Sequence, residues 1–146
     1  MRDDIQAIAD QLISEWIDDG EVDLLNRLCV PLPIYVIADQ LGVPRSELTL
    51  LKKWSDASTS RLGRLADEEQ QIQNAKDIVE FQHYFADLID RMREHPEDNI
   101  ISDLANNTID EGRLLTKPEA LGMIQQILVA GNETSTNAIA GGVVLL

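Results

Sequence analysis

The sequence predicts a mainly α fold, about six helices within one partial domain over residues 1–146, and three observations carry that reading. Apolar residues recur at i, i+3, i+4 and i+7 in several separate runs. Helix-start signatures, Asp67 with Gln70 and Thr116 with Glu119, stand before the two longest runs. Breakers at Pro31, Gly42, Pro44, Gly63, Pro96 and Gly112 separate the runs, and strand content should be very low.

Composition narrows the class of protein. A chain of 146 residues can bury roughly 70% of its unfolded surface, enough for one domain. Its net charge of −14 repels nucleic acid and anionic membrane surfaces, so neither is expected as a partner. The single Cys29 excludes an internal disulfide and a cysteine-only zinc site. The start shows no secretory pattern, and the apolar tail from Ala138 is too short to span a membrane, so a cytoplasmic protein is expected.

Taken in order, Ile5, Ile8, Ala9, Leu12, Ile13, Trp16 and Ile17 form one buried stripe of a first helix, with Asp3 and Asp4 at its positive end and Gly20 beyond it. Asp23 caps a short turn through Leu24, Leu25 and Leu28, and Cys29 reads as a buried structural thiol. Pro31 and Pro33 open a helix filled by Ile34, Val36, Ile37 and Leu41 and closed by Gly42 and Pro44. Pro44 or Ser46 starts the next, with Leu48, Leu51, Trp54 and Ala57 inward, and 58–66 reads as a loop. From Asp67 to about Glu94 runs a long helix on Ile78, Phe81, Phe85, Leu88 and Met92, its stripe widened by Ile72, Ala75 and Val79, until His95-Pro96 ends it. Asp98 caps a short helix through Ile100, Ile101, Leu104 and Ala105, and 107–113 with Gly112 fits a small hairpin. Glu80-x-x-His83 is half of a di-iron motif, but His95 has no glutamate three residues before it, so no metal site is expected.

The final stretch from Leu114 organises the rest. Thr116 and Glu119 form a capping box with Pro118 in the first turn, and nothing then stops a helix of about 30 residues, roughly 45 Å long. Apolar residues lie almost all round it, which predicts a buried helix. Its middle, Ala130 to Asn137, is polar. A helical Gly131 costs ~1 kcal/mol relative to alanine, and an unpaired buried carboxylate costs several more, so packing alone would not select these residues. The Thr134 hydroxyl can bond back to the carbonyl of Ala130, loosening the ladder beside Gly131 and opening a groove where Glu133 and Thr134 can pass protons to a bound intermediate.

Ala-Gly-Asn-Glu-Thr-Ser at 130–135 resembles the distal-helix motif of the cytochrome P450 monooxygenases. Residues 31–44 (PLPIYVIADQLGVP) and 51–58 (LKKWSDAS) resemble two preceding helices of the soluble bacterial members, so the resemblance covers the chain as a central segment ending in the distal I helix. It implies haem b with iron held by a thiolate from outside these residues, O2 as co-substrate, a small hydrophobic substrate, and ferredoxin with ferredoxin reductase as electron donors. By the same resemblance Glu133 and Thr134 are catalytic, and Ala130, Gly131 and Thr134 flank the cofactor and bound oxygen. Gln126, Val129 and Ala130 face substrate, joined by Leu62 and Leu65 in the entrance connection. The family's haem-binding loop and E-x-x-R pair are not in this sequence, which implies an enzyme of roughly three times this length and no catalysis by these residues alone. The alternative is a non-catalytic α-helical interaction module or a haem-free fragment.

Overall fold

The computed structural model describes residues 2–60, 67–109 and 112–145, and among these the fold is helical apart from one isolated bridge. Six α-helices follow one another: α1 (Arg2–Ser14), α2 (Pro31–Leu41), α3 (Leu48–Ser60), α4 (Glu68–Glu94), α5 (Ile100–Asn106) and α6 (Lys117–Val144). A π-helical turn, Leu25–Cys29, precedes α2, and a 3-10 turn, Arg45–Glu47, precedes α3. No helix among the described residues is long and apolar enough to cross a membrane.

The core lies between α2, α3, α4 and one edge of α6. Trp54 of α3 sits edge-on to Phe81 and Phe85 of α4 with ring centroids 5.9 Å away in each case, and Tyr84 closes the group at 5.1 Å. Such aromatic pairs add about 0.5–1.5 kcal/mol beyond area burial. The Trp54 indole N–H donates to Glu80, which also pairs with Lys53. Glu80 is therefore committed to α3. His83 of the Glu-x-x-His motif is exposed, and no group of metal ligands occurs among the described residues.

Helix ends follow local chemistry. Gly42 takes the left-handed conformation (φ 68°), with Val43 N–H donating to the Ala38 carbonyl and Gly42 N–H to that of Asp39, a Schellman motif. A Cβ at Gly42 would also lie 2.5 Å from Nδ2 of Asn99. Thr116 and Glu119 form the expected capping box, and Arg113 grips the Glu119 carboxylate through two bonds of 2.9 Å. The hairpin expected at 107–113 appears as the Thr108–Leu114 bridge, with Ile109 N–H donating to the Arg113 carbonyl at 2.8 Å. Arg93 of α4 donates to the Leu115 carbonyl at 3.0 Å and so ties the hairpin to the core.

Several expectations are corrected. α1 ends at Ser14 and buries only Ile8 and Leu12, leaving Ile17 exposed in the following turn. The turn at Asp23 does form, with Asn26 N–H donating to Asp23 at 3.2 Å, but its ladder is π-helical, Val30 N–H reaching the Leu25 carbonyl at 3.0 Å. α3 continues through 58–60, and the Ser58 and Thr59 hydroxyls bond back to the carbonyls of Trp54 and Ser55 within the helix. Asp67 caps α4, but Gln70 turns its side chain forward to Asn74 at 2.9 Å. On α4, Ile72, Ala75 and Val79 are exposed, and the buried stripe starts instead with Asn74, Asp77 and Ile78. Asn99, one residue after Asp98, caps α5 by accepting from Ser102 N–H at 2.9 Å.

Two tests follow from these ends. Gly42→Ala should lower stability by about 1–3 kcal/mol in urea unfolding, because it adds both a positive-φ strain and the Asn99 clash. The Arg113 and Thr116 contacts hold the Glu119 carboxyl down to about 2 from 4.5. Its contribution to the α6 cap is therefore complete above about pH 4.5 and is lost as pH falls through about 2, which a carboxyl-resolved NMR titration of Glu119 should register.

Candidate functional site

α6 is not buried all round. Only Ala120, Ile124, Leu128 and Asn132 are buried, one residue per turn along a single edge that meets α2, α3 and α4. Gln126, Ala130, Glu133 and Thr134 follow i, i+4, i+7 and i+8 spacing, so they share the opposite face, and all four are exposed. The expectation of a buried carboxylate at Glu133 is therefore corrected: the acid is solvated in this structure, and no described cation stands within ion-pairing distance of it.

Glu133 and Thr134 are neighbours in the chain and both exposed on α6. Thr134 Oγ1 donates to the carbonyl of Ala130, the back-bond that its spacing predicts. Ala130 presents only a methyl group on the open face, beside the hydroxyl. Gly131 lies on the flank toward α2, where a Cβ would stand 3.1 Å from Cδ1 of Ile37. Its missing side chain is accounted for by helix–helix approach, whereas sequence reasoning assigned it to a ligand groove. Val129 is half-buried on the other flank. Leu62 and Leu65 lie outside the described residues.

Two residues that sequence reasoning missed matter here. Asn132, to which sequence reasoning gave no role, is 5% exposed and donates through Nδ2 to Ser55 Oγ of α3 at 3.0 Å. The i, i+4 series Ala120, Ile124, Leu128 was the signal that its position faces inward. Beside this pair a cleft of 120 Å³ opens between α3 and α6, lined by Lys52, Asp56, Thr59, Asn132, Glu133 and Thr136 among others. Lys52 in that cleft is bound to Asp56 at 2.5 Å. Glu133 thus reaches both the open face and the α3 side. Cys29 is 1% exposed in the π-helical turn, and burial pushes its thiol up, the opposite of what a thiolate ligand requires.

The packing reading of Gly131 has a direct consequence. Gly131→Leu should push α6 off Ile37 and cost about 1–3 kcal/mol in urea unfolding. Gly131→Ala should stay near wild type, since a helix-propensity gain of about 1 kcal/mol offsets the small shift demanded of the Ile37 methyl.

No family model matches the chain. Individual proteins do. It is 36% identical over 148 residues to the cytochrome P450 monooxygenase PikC of Streptomyces venezuelae, covering 100% of this chain and 34% of that protein. It is 35% identical to cytochrome P450(MEG) of Priestia megaterium over 138 residues, covering 93% and 33%. The crystal structure of CYP109E1 from Bacillus megaterium in complex with testosterone superposes with a TM-score of 0.84 at 36% identity, covering 98% of this chain and 38% of that one. The chain therefore spans about a third of the length of the curated relatives it matches. Over that third, in sequence and in the order and packing of its helices, the chain belongs to the bacterial cytochrome P450 family.

Proposed function

We propose that these residues form the oxygen-side wall and the substrate-entrance helices of a haem-thiolate monooxygenase, a segment of one larger catalytic domain. The observation that carries this is the open face of α6, where Thr134 and Ala130 are joined by a hydrogen bond next to Glu133, in a chain of this family. That face suits a haem in its side chains: Ala130 projects only a methyl group, and Gln126, Glu133 and Thr134 around it are exposed. When bound, haem with a thiolate supplied from outside these residues provides the iron-centred activation of O2.

The chain's own residues have separable tasks. Thr134 presents a hydroxyl whose donor direction is set by the Ala130 carbonyl, and it can turn that hydroxyl toward a ligand at modest cost, because the back-bond is side chain to backbone and exposed. Glu133, exposed and adjoining the α3 cleft, relays protons from solvent toward the Thr134 hydroxyl. Ala130 keeps the α6 backbone accessible beside the cofactor, and Gly131 seats that stretch of the helix against Ile37 of α2. Gln126 and Val129 form the substrate wall, with Leu62 and Leu65 at the entrance.

The substrate is a small hydrophobic molecule, and the testosterone complex of the CYP109E1 relative supports a steroid-sized ligand. Electrons come from a ferredoxin and its reductase, and the setting is cytoplasmic. Cys29, buried with its thiol pushed up, is not the iron ligand.

The decisive experiment is the reduced, carbon monoxide-bound absorption spectrum of the complete protein, which should show a thiolate-type Soret band. Its absence in folded, haem-loaded protein would favour a helical interaction module. In the same protein Thr134→Ala should divert oxygen to peroxide and lower product per O2 severalfold, and Glu133→Gln should slow turnover by about 10²-fold. A module held together only by packing would show altered stability and no change in that ratio.

A further inference from the structure

Three serines on α3 are each gripped by a side-chain amide from another helix. Asn132 of α6 donates to Ser55 at 3.0 Å, Gln125 of α6 to Ser58 at 3.1 Å, and Asn74 of α4 to Ser60 at 2.9 Å. Only the first pair is fully buried, Asn132 at 5% and Ser55 at 1% exposure, and it joins residues 77 apart in sequence. The position is a poor one for an amide. Oδ1 of Asn132 is buried with no partner among the described residues, and turning the amide over would leave Nδ2 in its place. A leucine, as at Leu128 one turn earlier, would fill the same edge without that penalty.

A bond retained at such a position fixes geometry more than it adds stability. Asn132 immediately precedes Glu133 and lies two residues before Thr134, so any rotation or slide of this turn of α6 against α3 moves both. Ser55 lies one helical turn before Thr59, on the half of α3 that leads into residues 61–66. We propose that Asn132 is a positioning residue: through Ser55 it locks the turn carrying Glu133 and Thr134 to α3, so that the acid–alcohol pair keeps its place only while α3 is seated. The catalytic consequence rests on the monooxygenase reading above; the structural one rests on the Ser55–Asn132 pair alone.

The test uses the complete protein and five variants: Ser55→Ala, Asn132→Leu, the two combined, the exchange Ser55→Asn with Asn132→Ser, and Ser58→Ala as a control on the same two helices. Melting temperature, amide hydrogen exchange over residues 130–137 and product formed per O2 consumed are read for each. Either single change should lower the melting temperature, speed exchange over 130–137 roughly tenfold and reduce product per O2 by at least about twofold. The combined apolar variant removes both polar groups, so its melting temperature should recover while product per O2 stays low. The exchanged pair should restore both, and Ser58→Ala should leave product per O2 at the wild-type value. Recovery of product per O2 together with stability in the combined apolar variant would reduce Asn132 to a packing residue and overturn the proposal. So would unchanged exchange over 130–137 in Ser55→Ala. Thr134→Ala measured alongside separates the two readings: if it leaves product per O2 unchanged, the monooxygenase reading fails, and the exchange rates alone then decide whether Asn132 locks the turn.

Discussion

One edge of α6 holds the described structure together. Ala120, Ile124, Leu128 and Asn132 appear once per turn, and with only that edge to offer, a 28-residue helix has to meet α2, α3 and α4. Small side chains make this feasible. Ala120 admits the core at one end, and Gly131 lets Ile37 of α2 approach to within van der Waals range near the middle. Because interiors are packed as densely as organic crystals, that approach fixes the rotation of α6 about its own axis. Once the rotation is set, the opposite face, with Gln126, Ala130, Glu133 and Thr134, is fixed as well.

Polar contacts then set the placement of elements that apolar burial leaves free to slide. Arg93 holds the hairpin before α6 through the Leu115 carbonyl, and Lys117 reaches Asp90 of α4 at 2.5 Å. Asn99 caps α5 while its amide occupies the space that a glycine leaves at the end of α2. Tyr84 donates to Glu47, bringing the 3-10 turn before α3 onto the aromatic group. Surface ion pairs such as Lys52 with Asp56 contribute little to stability in an exposed setting. The serine–amide pairs along α3 belong with the former group, since each connects different helices and the innermost is shielded from water.

This arrangement places the proposed acid and alcohol, Glu133 and Thr134, on the solvent side of a packing helix. The residues that face the core are small or aliphatic apart from Asn132, and those that match the family's functional motif point away from it. Division of labour on one helix explains why Gly131 and Asn132, which sit inside the motif, do structural work, whereas Ala130, Glu133 and Thr134 remain available. The cleft beside Lys52 and Asp56 gives Glu133 a second approach, from the α3 side.

Most of the elements were legible in the sequence because their signals are local. The Thr116–Glu119 capping box, the Gly42 terminus, the Pro31 start of α2 and the Gly112 turn depend on residues within a few positions of one another, and the Thr134 back-bond depends on i−4 spacing alone. The family was legible for the same reason, in ordered motifs at 31–44, 51–58 and 130–135. The tertiary structure decided which side of each helix is buried. Apolar residues run almost all round α6, so the Ala120, Ile124, Leu128 series was one of several possible stripes, and only packing shows that it faces inward while Met123 is exposed, and that Ile72 and Val79 lie outside the α4 stripe. Gly131 and Asn132 owe their roles to Ile37 and Ser55, which are far away in the chain, and no local signal carries a contact across 77 residues. Sequence by itself determined the order of the helices, those ends that carry a local cap, and the motif; the packing of α6 on α2 and α3 decided which motif residues are structural and which are left facing outward.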